Sequence, residues 1–188
     1  MHRSFGLSTH LFHDQRLARG HLEAIAAHGF AGIELFATRT HFDYHDPAAA
    51  EQLARWLEDT RLRLFSVHAP IVEGCAGGVW GPPLSLAATD AGARARAIEA
   101  AVVAASALRQ RAIEETRAAL ALARLVPYRH LVVHLGRPDT PPPGGDNSRD
   151  AVRRSLELLY EAATAAGVTL ALELIPNALS TPEALVRL

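Results

Sequence analysis

The stretch LFSVHAP, residues 64–70, indicates a buried strand that ends on a group capable of chemistry. Strand-forming residues lead to His68, and the run stops at Pro70. A strand buried on both faces does not need an imidazole at its end. A single histidine of this kind is most often a core residue whose nitrogens bond to the backbone, so the stretch alone leaves both interpretations open.

Three further runs repeat the arrangement. Short apolar runs bounded by turn residues are typical of strands buried on both faces. Each of these runs also carries a His or a Glu at or near its C-terminal end: AGIELF (31–36) with Glu34, HLVVHLG (130–136) with His134, and VTLALELIPN (168–177) with Glu173. Because the feature recurs from strand to strand, we expect these side chains to serve one site.

Predicted strands and helices alternate along the chain, which indicates a parallel sheet covered by helices. The strands are predicted near residues 4–9, 31–36, 62–68, 130–135 and 169–174. The helices are predicted at 15–30, 47–60, 91–126 and 148–166, with another beginning after Thr181. The Gly- and Pro-rich segments 70–90 and 136–150 are predicted loops, and the first is long enough to form a lid.

Two architectures compete for this order of elements. A doubly wound open sheet fits 188 residues, whereas a (β/α)₈ barrel usually needs roughly 250. The dinucleotide-binding open sheet carries G-x-G-x-x-G after its first strand, but HLFHDQ (10–15) stands there. In barrels, the functional groups lie at the C-terminal ends of several strands. We therefore predict an α/β fold, a (β/α)₈ TIM barrel of which residues 1–188 form a single domain of about five units.

Composition narrows the function classes. The chain is 49% hydrophobic with a net charge of −1 and has no run of 18 apolar residues, so we expect a cytoplasmic protein without a membrane partner. Cys75 is the only cysteine, so any metal would be held by His and carboxylates. All 19 basic residues are Arg and are interspersed with 20 acids. Surfaces that bind nucleic acid carry clustered basic residues, so we expect no nucleic-acid partner.

Five motifs in this order resemble the xylose isomerase-like TIM barrels, a family that includes sugar phosphate isomerases/epimerases and apurinic endonucleases. The motifs are GLSTHLF (6–12), GIELF (32–36), FSVHAP (65–70), LVVHLG (131–136) and LALELIPN (170–177). The resemblance implies a divalent metal (Mn²⁺, Mg²⁺ or Zn²⁺) at the C-terminal mouth, with Glu173, His134 and His68 as its ligands. In the isomerase branch the two histidines more often line the sugar pocket, so Glu173 is the ligand on which both branches agree.

The resemblance also implies the chemistry. We expect a divalent-metal-dependent sugar or sugar-phosphate isomerase/epimerase, in which Glu173 removes a proton next to a carbonyl that the metal polarises. An apurinic endonuclease-like zinc phosphodiesterase and a non-catalytic barrel fragment stay open as alternatives. The near-neutral charge and the absence of Lys count against the nuclease.

Four more residues are candidates for binding the small-molecule sugar or sugar phosphate. His10 and Glu34 lie at strand ends, Trp80 lies in the predicted lid, and Asn177 follows the fifth strand. Three of them also have a structural interpretation: Glu34 would form a salt bridge, Trp80 would pack the loop onto the barrel, and Asn177 would shape the turn.

The chain departs from the family pattern after the fifth strand. The resemblance implies three more strands that supply an Asp, a His and a second Glu, so we expect residues 1–188 alone to bind metal weakly and to turn over no sugar. Strands 4–9 and 169–174 would be open edges, with Leu170 and Leu172 facing the barrel interior. Open edges pair with other chains, so we expect a homo-oligomer or a marginally stable protein.

Overall fold

The parallel sheet is built from five strands in a computed structural model that describes residues 4–88, 99–138 and 147–188. The strands of the chain are β1 (Gly6–Ser8), β2 (Gly32–Phe36), β3 (Arg63–His68), β4 (Cys75–Ala76), β5 (Val79–Trp80), β6 (His130–His134) and β7 (Thr169–Glu173). The helices are α1 (Arg19–Ala27), α2 (Pro47–Thr60), α3 (Glu99–Ala121), α4 (Arg149–Ala166) and α5 (Pro182–Leu185). Short 3₁₀ helices follow β1 at Thr9–Phe12 and α3 at Leu122–Arg124.

The sheet order is β1-β2-β3-β6-β7, and every pair is parallel. The predicted α/β class and parallel sheet are therefore confirmed, and each predicted strand range contains one observed strand. The segment 70–90 was predicted to be a loop, and this is wrong in part because β4 and β5 form a short antiparallel pair within it. Residues 89–98 and 139–146, parts of a predicted helix and two predicted loops, lie outside the described residues.

Helix boundaries follow the local chemistry of their ends. The side chain of Asp46 accepts a hydrogen bond from the Ala48 amide at the start of α2, and the side chain of Thr181 does the same for Ala184 at α5. Gly167 ends α4 with a φ of 68°, a conformation that glycine adopts without strain. Helix α1 is shorter than the predicted 15–30. Among the described helices, none combines the length and apolarity that crossing a membrane requires.

Register divides the sheet into two faces, because paired residues of parallel strands point to the same side. One face packs against the helices and carries side chains that are fully or nearly fully buried: Ile33, Leu35, Val67, Leu131 and Val133. The opposite face, here called the lumen face, carries Glu34, Phe36, His68, His134 and Glu173. The strand-end His and Glu side chains that the sequence singles out therefore lie on one face of the sheet.

The placement of Leu170 and Leu172 in the barrel interior is wrong. Leu170 pairs with Leu131, and Leu172 pairs with Val133, so both leucines share the helix-facing side. They pack against the main hydrophobic core and are half-buried, since β7 has a neighbour on one side only among the described strands. Ala171 is the residue between them on the lumen face.

On the lumen face, the aromatic ring of Phe65 packs closely over Gly6 and Gly32. Strand β3 has a register shift in which Phe65 has no partner between Leu64 and Ser66. A Cβ atom added to Gly32 would lie 2.7 Å from the Phe65 ring and would collide with the Arg63 carbonyl oxygen, and one at Gly6 would lie 3.2 Å from the same ring. The two glycines therefore make room for the bulged phenylalanine.

We expect Gly32→Ala to lower the free energy of unfolding by about 2 kcal/mol, because its Cβ forces the backbone of β3 to move. Urea unfolding of the variant measures this. The matched control is Gly20→Ala in α1, where an added Cβ meets no atom within 4 Å and should leave stability unchanged or slightly raised. Equal stability of the two variants would contradict the close packing of β3 against Gly32.

Candidate metal centre

Three strand ends bring His68, His134 and Glu173 together on the lumen face. The register places His134 directly beside Glu173, and His68 one strand away beside Val132. Glu173 Oε2 lies 2.9 Å from His68 Nε2 and 3.0 Å from His134 Nε2, and the two Nε2 atoms are 3.2 Å apart. The predicted convergence of these residues is observed, whereas their role as ligands stays a prediction.

The hydrogen bonding of His68 defines what its ring offers to the cluster. His68 Nδ1 lies 2.8 Å from the carbonyl oxygen of Ala69, which can only accept, so Nδ1 carries the proton. In the neutral ring Nε2 then has a lone pair directed at the cluster. Lone pairs from a nitrogen and a carboxylate 2.9 Å apart repel unless a positive charge, either a proton or a metal ion, is shared between them.

Burial favours the neutral imidazole of His134. Desolvation lowers the pKa of His134, and the neighbouring His68 lowers it further, while Glu173 raises it. A histidine must be neutral to donate its lone pair to a metal. The side chains of His68 and His134 are 11% and 18% exposed, whereas that of Glu173 is 43% exposed. The cluster is therefore buried on the histidine side and accessible at its carboxylate.

The spacing of the three donor atoms fits a divalent ion. Ligands about 2.1 Å from a six-coordinate ion are separated by octahedral edges of about 3.0 Å, whereas a tetrahedral ion with similar bonds has edges of about 3.4 Å. The observed separations of 2.9, 3.0 and 3.2 Å are closer to the octahedral value. Imidazole and carboxylate ligands suit zinc and manganese. The three atoms are therefore close enough together to bind one such ion.

The rings of His10, Phe36 and Trp80, here called the aromatic wall, lie beside the cluster. The His10 ring lies 4.4 Å from the Phe36 ring and 6.1 Å from the Trp80 ring, measured between centroids. Phe36 in turn lies 5.4 Å from His68. The pKa of His10 is lowered by burial and by His13 and His68, while Glu34 and Glu173 raise it. His10 is thus within the electrostatic reach of the cluster, as a substrate-binding residue would need to be.

Trp80 reaches this wall from the β4–β5 hairpin. Its ring stacks on His13 with the centroids 5.0 Å apart and the planes 14° from parallel. The residue is still 43% exposed. The stack on His13 packs the hairpin onto the mouth, in line with the structural interpretation, whereas the role of Trp80 in binding substrate stays a prediction.

The remaining two candidates differ in position. Glu34 lies on the lumen face, where its carboxylate accepts a hydrogen bond from Ser66 Oγ at 3.1 Å. The amide group of Asn177 is buried and fully used by the backbone: its nitrogen donates to the carbonyls of Leu135 and Arg137, and its oxygen accepts from the amides of Leu179 and Ser180. These contacts match the turn-shaping alternative, and we leave Asn177 out of the proposed site.

Sequence reasoning missed two parts of the site. Phe36 forms the wall although only Glu34 was singled out, and the signal was present because residues two apart in a strand share a face. The buried pair Thr9 and His41 supports the wall from behind. No local pattern identifies that pair, since its members are 32 positions apart.

A family model described as xylose isomerase-like TIM barrel matches residues 22–188. No curated protein matches the chain in sequence. The confirmed parallel sheet is accordingly that of a TIM barrel, of which five strands are described here.

Solved structures with the same fold have diverse descriptions. A D-tagatose 3-epimerase-like protein is 23% identical, with a TM-score of 0.68 over 98% of this chain and 59% of its own. A xylose isomerase-like TIM barrel protein from Mycobacterium smegmatis in complex with magnesium is 14% identical, with a TM-score of 0.61 over 98% of this chain and 59% of its own. A family 2 AP endonuclease from Brucella melitensis is 19% identical, with a TM-score of 0.55 over 92% of this chain and 55% of its own. The chain thus spans less than two thirds of the length of these structures.

Proposed function

The chain belongs to the xylose isomerase-like TIM barrel family, and we propose that it supplies the metal-binding strands of a divalent-metal-dependent sugar or sugar-phosphate isomerase/epimerase. The observation that carries the proposal is the meeting of His68, His134 and Glu173, whose three donor atoms lie within 3.2 Å of one another. Their positions at the ends of successive strands are those that TIM-barrel enzymes use for catalysis. The epimerase-like neighbour agrees with this choice of chemistry.

The metal ligands in this proposal are His68, His134 and Glu173. A divalent ion bound there would act as a Lewis acid toward a sugar carbonyl. The backbone carbonyl of Ala69 fixes the tautomer of His68, so in the neutral ring Nε2 carries the lone pair that a metal ion would use. Identification of the ion as Mn²⁺, Mg²⁺ or Zn²⁺ stays a prediction.

Glu173 is the proposed catalytic base. Both of its contacts in the cluster are made by Oε2, which leaves Oε1 to accept a proton from the carbon next to the sugar carbonyl. The electron pair of the broken C–H bond forms a carbon–carbon double bond, and the negative charge moves to the carbonyl oxygen. Return of the proton to the same carbon gives back the sugar or, on the opposite face, its epimer. Return to the former carbonyl carbon gives the isomer, with the hydroxyl proton on the first carbon passing to the former carbonyl oxygen.

The sugar would be held by the residues around the cluster. In this proposal Glu34 accepts hydrogen bonds from hydroxyl groups, and the rings of His10 and Trp80 contact the carbon skeleton. A role in carbohydrate metabolism, a cytoplasmic location and the absence of a nucleic-acid partner belong to the same proposal. So does the dependence of full turnover on strands beyond the five described here.

Solvent exchange tests the chemistry without requiring a complete reaction. In D₂O with Mn²⁺, we expect residues 1–188 to exchange the hydrogen next to the carbonyl of at least one member of a panel of ketohexoses and their phosphate esters. The exchange is measured by NMR and needs one base, whereas epimerisation needs proton return on the opposite face. Exchange should disappear in Glu173→Gln, and its absence for every sugar in metal-loaded wild-type protein would contradict the proposal.

The second candidate is a zinc phosphodiesterase acting at abasic sites in DNA. It is favoured by the His-rich ligand set, which suits zinc, and by the AP endonuclease neighbour. Cleavage of a duplex containing one abasic site by the Zn²⁺-loaded protein would support it. We expect no cleavage, because the chain has no excess of basic residues for holding phosphates.

A further inference from the structure

A buried hydrogen-bonded pair lies directly behind the aromatic wall. Thr9 and His41 are both fully buried, and Thr9 Oγ1 lies 3.1 Å from His41 Nε2. Thr9 begins the 3₁₀ helix that follows β1, while His41 lies in the segment after β2. The pair therefore joins the 3₁₀ helix that carries His10 to the segment that follows Phe36.

The partners of His41 fix the direction of each hydrogen bond. His41 Nδ1 lies 2.7 Å from the carbonyl oxygen of Gln15, which can only accept, so Nδ1 carries the proton. Nε2 of the neutral ring is then an acceptor and takes the hydroxyl proton of Thr9. The oxygen of that hydroxyl accepts the amide N–H of Phe36 at 2.9 Å. The chain of bonds runs from Phe36 through Thr9 and His41 to Gln15 with each proton accounted for.

Backbone hydrogen bonds of His41 also connect these two segments. The His41 carbonyl accepts the amide of Leu17, and the His41 amide donates to the carbonyl of Thr38. Burial lowers the pKa of His41, which keeps the ring neutral at physiological pH. A charged ring would carry a proton on Nε2 and could no longer accept from Thr9.

We propose that His41 is a positioning residue that acts through Thr9. Its Nδ1–H tautomer orients the Thr9 hydroxyl, which holds the main chain of Phe36 and thereby sets the adjacent His10 ring against the Phe36 ring beside the Glu173 cluster. The role of His10 in binding sugar rests on the proposed function. The geometry of the His10 ring does not, and it can be measured separately.

A pair of Thr9 variants tests the proposal. Thr9→Val keeps the shape but removes the hydroxyl, whereas Thr9→Ser keeps the hydroxyl. In wild type, the NMR signals of the His10 ring should be displaced by the Phe36 ring current, and its pKa should be lowered as in the structure. We expect both features to be lost in Thr9→Val and retained in Thr9→Ser, with Mn²⁺ affinity unchanged in both. In the exchange assay, Thr9→Val should weaken apparent ketose affinity by about tenfold, as for the loss of a well-oriented contact.

Several outcomes would overturn the proposal. Unaltered His10 signals in folded Thr9→Val would do so, as would their loss in Thr9→Ser. If Thr9→Val does not fold, ¹⁵N shifts of wild-type His41 decide: an Nε2–H tautomer, or titration of the ring near pH 6.5, contradicts the assignment. Failure of every sugar in the exchange assay would remove the proposed function but would leave the NMR result on His41 intact.

Discussion

Glu173→Gln is expected to abolish divalent metal binding by residues 1–188, with Mn²⁺ affinity falling by at least about 100-fold. Loss of a residue that only orients a ligand typically costs 10–100-fold, and here the ligand itself is removed. Gln has nearly the same shape as Glu but no charge, so the two histidines would face an amide instead of a carboxylate. Isothermal titration calorimetry with Mn²⁺, Mg²⁺ and Zn²⁺ measures the loss and ranks the ions.

Thermal unfolding gives a second measure of the same site. A metal present at 100 times its dissociation constant stabilises the protein that binds it by about 2.7 kcal/mol. This stabilisation should be absent in Glu173→Gln and complete in Glu157→Gln, the same change at an exposed carboxylate on α4. Metal affinity that survives in Glu173→Gln would show that the cluster of His68, His134 and Glu173 is an internal hydrogen-bonded group and not a metal centre.

Self-association is the other large effect we expect. Among the described strands, β1 pairs only with β2 and β7 only with β6. The amide of Thr169 bonds to the Arg129 carbonyl on the β6 side, so by the alternation of a parallel strand the amides of Leu170 and Leu172 point to the open edge. Such an edge pairs with other chains. Light scattering coupled to size-exclusion chromatography should therefore give a multiple of the 20.2 kDa chain mass.

A charge on the lumen side of the edge should prevent this association. Ala171→Lys places an ammonium group on the lumen face of β7, on the side opposite the two half-buried leucines, and so leaves their packing unaltered. Burying it unpaired in a strand-to-strand contact costs about 3 kcal/mol, or about 100-fold in the dissociation constant. Ala165→Lys on the exposed side of α4 is the control and should associate like wild type. A monomeric wild-type chain with a sharp thermal transition would contradict open edges as interaction surfaces.

The elements of the sheet could be predicted because each strand is signalled locally. Strand β3 contains the strand-forming residues Leu64, Phe65 and Val67, and Pro70 follows shortly after its end. The helix starts at Asp46 and Thr181 carry their own capping groups. The convergence of His68, His134 and Glu173 followed from one rule, that parallel strands end at the same edge. These features depend on residues that are close in sequence.

The parts that could not be predicted depend on contacts between distant residues. The side of the sheet that Leu170 faces is set by its register with Leu131, which is not visible in β7 alone. The side-chain nitrogen of Asn177 donates to carbonyl groups of the segment after β6, which lie about 40 residues earlier in the chain. The bond between Thr9 and His41 likewise needs the two loops to be in place first. Pattern and propensity carry no information about such pairings.

The order of the sheet has a consequence for how the protein is made. Every new strand of the parallel sheet, from β1 to β7, joins the strand that was synthesised before it. The nascent chain can therefore extend its sheet as it leaves the ribosome, without waiting for a distant partner. At 5–20 residues per second, about 2–8 seconds separate the synthesis of His134 from that of Glu173. Of the three residues of the cluster, Glu173 is therefore the last to be synthesised, and the group cannot form before β7 has joined β6.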